Sequence, residues 1–558
     1  MSATAPATAP ASTTSKYLPL IAMIFVTSMT FIDMTIVSIA APEVEKGLGI
    51  SDNAVQWVIN GYLLALASLF ALFGRIADVV GHKRMAIIGT IVFATASALC
   101  GFTPVGSFAA AWIITFRVIQ GAGAAMLFPA ALAIVAAAFA IKERGRALAL
   151  FFAITGAFTA IGPILGGYLV EWTWRSIFWI NIPVAIIALI LTSICKPTLV
   201  PKKEPIDWRG GAVIVAGMGL SVLGLQQASS WGWTSPATIG CVVVGLVLIG
   251  LFVKMESGQK NPLIKVWIFR DRAFVADNFV LFFSMMAFVP VFFFLSLYAQ
   301  IVLGDSAQDA GLFIMWFFIG FVIAAQVGGA MLDRIGSKLP MMLGSLISAV
   351  GFAGLGFQAT QMTSGAITPW IIAAGAGIGL LLGPASTDAL NRAIGASYGE
   401  VTGVTQTLRN YGSALGMAIL GTIMLTQSQN RFVSTLTGFG LSNEQADTVA
   451  KGFSHASSGG AAGASSNIPT SVRDKILTAI QLDFSQAMKV VFLVMAGMLV
   501  VSFLVSLIHP GGKVVTADAE EEDATSTDTP GGDSRENVRR VLTYVVVAAV
   551  IYLMYKYL

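Results

Sequence analysis

Residues 74–84 read GRIADVVGHKR, and residues 329–338 read GAMLDRIGSK. Four positions recur at the same offsets, namely Gly74, Asp78, Gly81 and Lys83 in the first stretch and Gly329, Asp333, Gly336 and Lys338 in the second. In the first stretch Arg84 follows as a further basic residue. The copies start 255 positions apart (329 minus 74). Self-similarity over such a distance indicates a chain built from two related halves.

The sequence around both stretches is strongly apolar. Of the 558 residues, 56% are hydrophobic and 11% are charged, and the mean hydropathy is +0.80. Soluble domains carry about 25% charged residues, so the 33 Lys and Arg and 29 Asp and Glu would not cover a water-facing surface. The composition predicts a protein embedded in a lipid bilayer. The net charge of +4 is too small to indicate a nucleic-acid partner.

Long apolar runs divide the chain. A bilayer core of about 30 Å requires roughly 20 apolar residues per helix. Fourteen such runs predict helices over residues 17–40, 54–75, 85–102, 108–138, 146–170, 176–195, 209–228, 237–255, 273–300, 309–332, 339–358, 366–387, 402–427 and 485–508. A further run, residues 541–558, is interpreted as an accessory anchor or a fused segment.

Positive charges predict the orientation of these helices, because cytoplasmic connections hold the excess of Lys and Arg. The connections after even-numbered helices are basic, for example Lys142, Arg144 and Arg146 after the fourth, whereas the opposite connections before residue 400 hold only Lys46 and Arg175. We therefore expect a multi-pass protein of the cell membrane with a cytoplasmic N-terminus. Eight predicted helices separate the two repeated stretches, so both face the cytoplasm.

Three segments are predicted to lie outside the membrane helices. Residues 1–16 lack a basic start and are expected to be a retained, disordered leader. Residues 428–484 form the one long outward loop, for which a solvated flap is favoured over a binding domain. Residues 510–540 form an acidic linker that is too polar to fold alone.

The sequence lacks the spacings typical of catalytic and metal sites. Its three cysteines and three histidines stand in no CxxC or HExxH pattern, and no GxxxxGK[ST] phosphate-binding loop occurs. We therefore expect no metal, no cofactor and no enzymatic activity. The rival class is a membrane-embedded enzyme or a sensor, which would require a catalytic cluster or a folded soluble domain.

The repeated stretches have a physical interpretation as breakable contacts. A glycine lets two helix ends approach closely. An Asp at such an end can accept hydrogen bonds from the first N–H groups of a neighbouring helix or pair with Lys or Arg. The matched pair of loops favours such a latch over two ordinary charged turns capped by Gly.

Further motifs follow in order. Residues 31–42 read FIDMTIVSIAAP, residues 117–125 read RVIQGAGAA, residues 156–167 read GAFTAIGPILGG, and residues 174–183 read WRSIFWINIP. Together with the repeated loop of the form GxxxDxxGxK/R, they make residues 17–509 resemble the fourteen-helix drug:proton antiporters of the major facilitator superfamily.

The resemblance implies an all-helical membrane protein with the major facilitator fold. An N-terminal six-helix bundle over residues 17–195 and a C-terminal one over residues 273–509 would be joined by a two-helix insertion with linkers over residues 196–272. It implies an exporter of lipophilic, cationic drugs or dyes that works by alternating access with protons as the coupling ion, and we expect a monomer. Proton-coupled export of an endogenous lipid, siderophore or metabolite is the alternative.

Two charged residues inside predicted helices are candidates for this coupling. Asp33 lies about 24 Å along the first helix at 1.5 Å per residue, and Arg117 lies in the outer half of the fourth. An ionised side chain costs roughly 2.5–3.5 kcal/mol at the centre of a bilayer, which favours a functional role. Asp33 is predicted to hold either a proton or a cationic guest, and the resemblance links Arg117, with Gln120 on its face, to proton transfer. The alternatives are a carboxylate that reaches outer water and an arginine that snorkels.

Two more groups complete the candidate sites. The resemblance implies an antiporter hinge at Gly162, Pro163, Gly166 and Gly167, for which tight packing is the alternative. The substrate cavity is predicted from Asp33 together with the aromatic and cationic side chains Trp57, Tyr62, Tyr298 and Arg409. For the aromatic residues, contact with lipid is the alternative.

Overall fold

A computed structural model of the chain describes residues 13–139, 141–196, 205–259, 262–392, 398–439, 442–444, 446 and 473–512. These residues contain fourteen long helices and no strand. The helices are α1 Thr13–Leu48, α2 Asp52–Val80, α3 His82–Gly101, α4 Ala109–Ala138, α5 Ile141–Trp172, α6 Ser176–Ile194, α7 Trp208–Trp231, α8 Pro236–Glu256, α9 Arg272–Tyr298, α10 Ala307–Ile335, α11 Lys338–Gln358, α12 Ser364–Arg392, α13 Tyr398–Gly438 and α14 Arg473–Ile508.

Each predicted apolar run therefore contains a helix, and the prediction of an all-helical membrane protein is confirmed. Twelve helices of the described part are long and apolar enough to cross a membrane, so the count of fourteen spans is not confirmed. Helix α5 is not among the twelve, because several side chains after Phe158 lie outside what the structure describes. Helix α13 is not among the twelve either, because Glu400, Arg409 and many Thr, Gln and Gly residues interrupt its apolar surface.

Several predicted segments lie partly or wholly outside the described residues. They are the C-terminal run 541–558, nearly all of the linker 510–540, most of the leader 1–16 and the middle of the loop 428–484. The described flanks of that loop are helical, because α13 continues to Gly438 and α14 begins at Arg473. The helices are thus longer than their apolar runs.

The two halves of the chain, α1–α6 and α9–α14, pack on each other in a reciprocal way. The second helix of the N-terminal half, α2, packs on α13, and its counterpart in the C-terminal half, α10, packs on α5. Helices α7 and α8 pair with each other, and α7 also contacts α2 and α13. The repeated loops that follow α2 and α10 both contain a glycine with positive φ, 102° at Gly81 and 85° at Gly336, a region that favours glycine.

The contact between α2 and α13 is made by backbone atoms. A Cβ atom at Gly399 would overlap the carbonyl oxygen of Gly74 and lie 2.7 Å from Asp78 Oδ1. A Cβ atom at Gly74 would overlap Gly399 O and lie 3.1 Å from Gly403 Cα. The glycine of the repeated loop is therefore required by close helix approach. We call the end of the molecule that carries both repeated loops the loop end.

We expect Gly399→Ala to lower the free energy of unfolding by about 1–3 kcal/mol, because the added methyl group has no space. Gly421→Ala is the matched control on the same helix, since nothing lies within 4 Å of a Cβ atom there. The control should be neutral or stabilising by up to about 1 kcal/mol. Denaturant unfolding in detergent measures both, and equal stability of the two variants would contradict the close contact.

Candidate functional site

Asp33, Arg117 and Gln120 form one buried network inside the N-terminal half. Arg117 Nη1 donates to Asp33 Oδ2 at 2.6 Å and to Gln120 Oε1 at 2.8 Å. Gln120 Nε2 donates to Asp33 Oδ1 at 2.8 Å. The three side chains are 0–1% exposed. Both oxygens of the carboxylate thus accept hydrogen bonds, and the ion pair with Arg117 balances its charge.

Three further groups hold the guanidinium in place. Arg117 Nε donates to the carbonyl oxygen of Val58 at 2.8 Å. The guanidinium carbon lies 4.5 Å from the ring centroid of Tyr62 and 5.9 Å from that of Phe178. Val58 lies near the start of α2, about 24 Å along the helix from Gly74 at 1.5 Å per residue. The network therefore lies toward the end of the molecule opposite the loop end.

The predicted hinge borders this network. A Cβ atom at Gly162 would overlap Thr35 Oγ1 and lie 3.1 Å from Ile32 O, so α5 touches α1 beside Asp33. Helix α5 continues without a break through Gly166 and Gly167, and the side chain of Pro163 lies outside what the structure describes. The hinge role stays a prediction, but its glycine contacts the helix that carries the carboxylate.

The first repeated loop connects three helices. Asp78 Oδ1 accepts a hydrogen bond from the backbone N–H of Gly399 at 3.1 Å, in the first turn of α13, and lies 3.3 Å from His82 Nε2. Lys83 Nζ donates to the carbonyl oxygens of Ser193 and Cys195, at 2.8 and 2.6 Å, at the end of α6. Arg84 is exposed.

The second loop interacts electrostatically with the other half. The charges that act on Asp333 are Arg146 and Glu143 at the start of α5. Helix α5 also reaches the C-terminal half through Arg144, whose Nη1 donates to Asn391 Oδ1 at 2.5 Å. Lys338 begins α11, and its side chain lies against Gly511. Asp78 thus bonds the first turn of α13 directly, whereas Asp333 interacts with α5 through the charges of Arg146 and Glu143.

The predicted cavity residues do not form one cluster. Tyr62 belongs to the Asp33 network, and Trp57 is half-buried. Tyr298 is fully buried and donates its hydroxyl to Ala359 O at 2.7 Å, so its described hydrogen bond is structural. Arg409 lies on α13 with its guanidinium carbon 5.0 Å from the ring centroid of Phe152 on α5.

One buried group was not found from the sequence. Asp388 Oδ2 accepts hydrogen bonds from Ser337 Oγ and Arg392 Nε, both at 2.7 Å, and lies 3.1 Å from His509 Nε2. The same nitrogen lies 3.4 Å from Asp277 Oδ1. Within the described residues, Asp277, Asp388 and His509 alone are close enough to hold a metal ion. Because Asp388 Oδ2 already has three partners, a hydrogen-bonded cluster fits this arrangement better than a metal site.

The comparisons with known proteins agree with this architecture. The sequence profile of the Major Facilitator Superfamily matches residues 23–417. The Tetracenomycin C resistance and export protein of Streptomyces glaucescens is 30% identical over 72% of this chain and 74% of its own length. The multidrug resistance protein Stp of Mycobacterium tuberculosis is 30% identical over 71% and 73%. The solved proton:xylose symporter XylE, with bound 6-bromo-6-deoxy-D-glucose, superposes with a TM-score of 0.57 at 14% identity and covers 92% of this chain and 99% of that one.

The family match and these relatives define a membrane transporter and not an enzyme. The chain belongs to the major facilitator superfamily, among its drug-efflux transporters. The family prediction is thereby confirmed, and the likeness to XylE confirms the fold.

We expect Asp33→Leu to lower the free energy of unfolding by about 3–5 kcal/mol, because it leaves the guanidinium of Arg117 buried without its carboxylate. The double variant Asp33→Leu with Arg117→Leu should lose clearly less than the sum of the two single variants, since neither charge remains. Denaturant unfolding of the three variants in detergent measures the coupling free energy. Additive losses would contradict a buried ion pair.

Proposed function

We propose that the protein is a proton-coupled antiporter that exports lipophilic drugs by alternating access, with the proton as its coupling ion. The observation that carries this proposal is the enclosed network of Asp33, Arg117 and Gln120. A carboxylate buried inside a membrane protein is stable while it is paired, or when it is protonated. In the network Asp33 is ionised while it is paired with Arg117, and in the proposal it becomes neutral when it takes up a proton.

Protonation of Asp33 changes the balance of the network. The neutral carboxyl group no longer attracts the guanidinium of Arg117, which then remains the one charge of the triad. Arg117 is held to α2 through Val58 O and to α6 through the ring of Phe178, so a change at Asp33 acts on the helices that Arg117 contacts. Gly162 places α5 against α1 beside Asp33. Because α5 also packs on α10, a movement of α1 at Asp33 is transmitted through α5 to the C-terminal half.

The two repeated loops supply contacts that open and close. Asp78 bonds the start of α13, and Asp333 faces the start of α5. Both contacts link the N-terminal to the C-terminal half at the loop end, Asp78 through a hydrogen bond from a helix start and Asp333 through the charges of Arg146 and Glu143. We assign the loops the role of latches that break when the halves rock apart there.

The proposal includes a membrane topology. Fourteen helices cross the bilayer, with α1–α6 and α9–α14 as the two bundles, α7 and α8 as the insertion, the N-terminus in the cytoplasm and a monomer as the working unit. Helices α5 and α13 are long enough for this at 32 and 41 residues. Their polar residues are tolerated because both helices pack on the opposite half as well as on their own.

The charge of the substrate needs separate consideration. A cationic guest at Asp33 would have to replace Arg117, which already occupies the cation position beside the carboxylate at 2.6 Å. The cationic substrate class therefore stays a prediction that the arrangement around Asp33 does not by itself support. The related exporters, with names that refer to tetracenomycin C and to multiple drugs, support drug export at the general level.

Asp33→Asn should abolish export driven by a proton gradient, because the amide cannot release a proton. The measurement is accumulation of ethidium, a lipophilic cation, and of naphthoate, an aromatic anion, in inside-out proteoliposomes with an acidic lumen. Wild-type protein should accumulate at least one of them, and an uncoupler should stop it. The Asn variant should match protein-free vesicles.

Asp309→Asn is the matched control, because Asp309 is an exposed carboxylate in the first turn of α10. It should keep the wild-type rate. Gradient-driven accumulation by Asp33→Asn at the wild-type rate would refute the role of Asp33. Accumulation by the wild type that is insensitive to the uncoupler would refute proton coupling.

A further inference from the structure

Arg409 is a second arginine inside the helical body, and it differs from Arg117 in its partners. It follows Tyr398, the first residue of α13, by eleven positions, and Phe152 follows Ile141, the first residue of α5, by eleven as well. At 1.5 Å per residue both lie about 17 Å from the loop end of their helices, which is about half of a bilayer core. Arg409 and Phe152 therefore face each other near the midplane, between the two halves.

The charge of Arg409 has no counter-ion in the described part of the chain. Its side chain is 7% exposed, and its Nε and Nη1 atoms have no hydrogen-bond partner. None of the ion pairs between described residues includes it. Arg117, at 1% exposure, has a carboxylate, an amide oxygen and a backbone carbonyl as acceptors. The guanidinium of Arg117 thus has hydrogen-bond acceptors, whereas the Nε and Nη1 atoms of Arg409 have none among the described residues.

A second unpartnered donor lies on the same side of α13. Thr405 precedes Arg409 by one helical turn, so the two side chains share a face. Thr405 is 4% exposed, and its hydroxyl has no hydrogen-bond partner. Buried polar groups in proteins nearly always have partners, and this face of α13 offers several unmet donors next to a positive charge. An anionic oxygen pair is the chemical group that satisfies them.

The surroundings of these donors are aromatic. Phe152 covers the guanidinium, and Gly156, one turn further along α5, lies against Phe318 and Phe321 of α10. Phe292 of α9 stacks on Phe318 with centroids 5.1 Å apart and an interplanar angle of 12°. Aromatic side chains accept planar, apolar guests. The interface therefore combines one cation with a wall of rings.

We propose that Arg409 binds the acidic group, a carboxylate or a phenolate, of an aromatic substrate at the interface of the two halves. The substrate class is a lipophilic aromatic acid. The inference rests on the proposed export function for its biological meaning, but binding itself requires no gradient. When the halves separate, the acidic group takes the donors of Arg409 and Thr405, and the aromatic body replaces the contact between Arg409 and Phe152.

The test compares two probes with the same ring system, naphthoate and naphthamide, by equilibrium dialysis with the detergent-solubilised full-length protein at neutral pH. Naphthoate is then ionised, and naphthamide is neutral. The wild type should bind naphthoate about tenfold more tightly, since a hydrogen bond to a charged group contributes this much. Equal affinities for the two probes would overturn the proposal without any variant.

Arg409→Gln should reduce the preference for naphthoate to within about twofold while its affinity for naphthamide stays unchanged, which also shows that the variant is folded. Arg431→Gln, on the same helix but bonded to Gln486, is the matched control and should keep the wild-type preference. An unchanged preference in Arg409→Gln, or an equal loss in Arg431→Gln, would overturn the assignment.

The failure of this inference is distinguishable from the failure of the proposed function. Asp33→Asn should keep the binding preference for naphthoate, because its carboxylate is not part of the Arg409 site. If the preference depends on Arg409 but a proton gradient drives accumulation of neither naphthoate nor ethidium, the acid site stands and the coupling proposal fails. If the gradient drives ethidium and the wild type has no preference for naphthoate, the coupling stands and the acid site fails.

Discussion

A charge inside a bilayer has to be compensated within the protein, and this constraint organises the N-terminal half. Arg117 finds its acceptors on α1, α2 and α4 and its ring contacts on α2 and α6. Four helices are thereby oriented around one guanidinium. Any movement of the carboxylate or its proton changes the partners of all four, because in a low-dielectric interior an unmet charge is costly. The group proposed for coupling is thus also the group around which four helices of the N-terminal half pack.

The two halves use the repeated loop in related but unequal ways. In the first half, Lys83 binds the terminal carbonyls of α6. At the corresponding end of α14 in the second half, Arg392 on α12 donates to Gly511 O and Gly512 O, both at 3.1 Å. Lys83 thus binds the last carbonyls of α6, whereas Arg392 binds the segment that follows α14. The Asp of each loop interacts with the opposite half, Asp78 through a hydrogen bond and Asp333 through the charges of Arg146 and Glu143.

The sequence was informative where a residue type is rare in its surroundings. Asp33, Arg117 and Gln120 are polar residues in apolar runs, and helix geometry alone predicted a common depth. The sequence did not predict the role of Val58, because Val58 contacts Arg117 through its backbone carbonyl and not through its side chain. The group of Asp277, Asp388 and His509 joins α9, α12 and the residue after α14, and no spacing along the chain reveals such a contact. The apolar run predicted over residues 402–427 did not make α13 one of the twelve apolar helices, because Arg409 and its Thr, Gln and Gly residues interrupt that run.

The glycine seam between α2 and α13 has a consequence for the temperature dependence of transport. Gly74, Gly399 and Gly403 bring backbone against backbone, so separating the helices there uncovers peptide groups and little hydrocarbon surface. Heat-capacity changes in proteins arise mainly from newly hydrated apolar surface. We therefore expect opening of this seam to add little curvature to an Arrhenius plot of turnover.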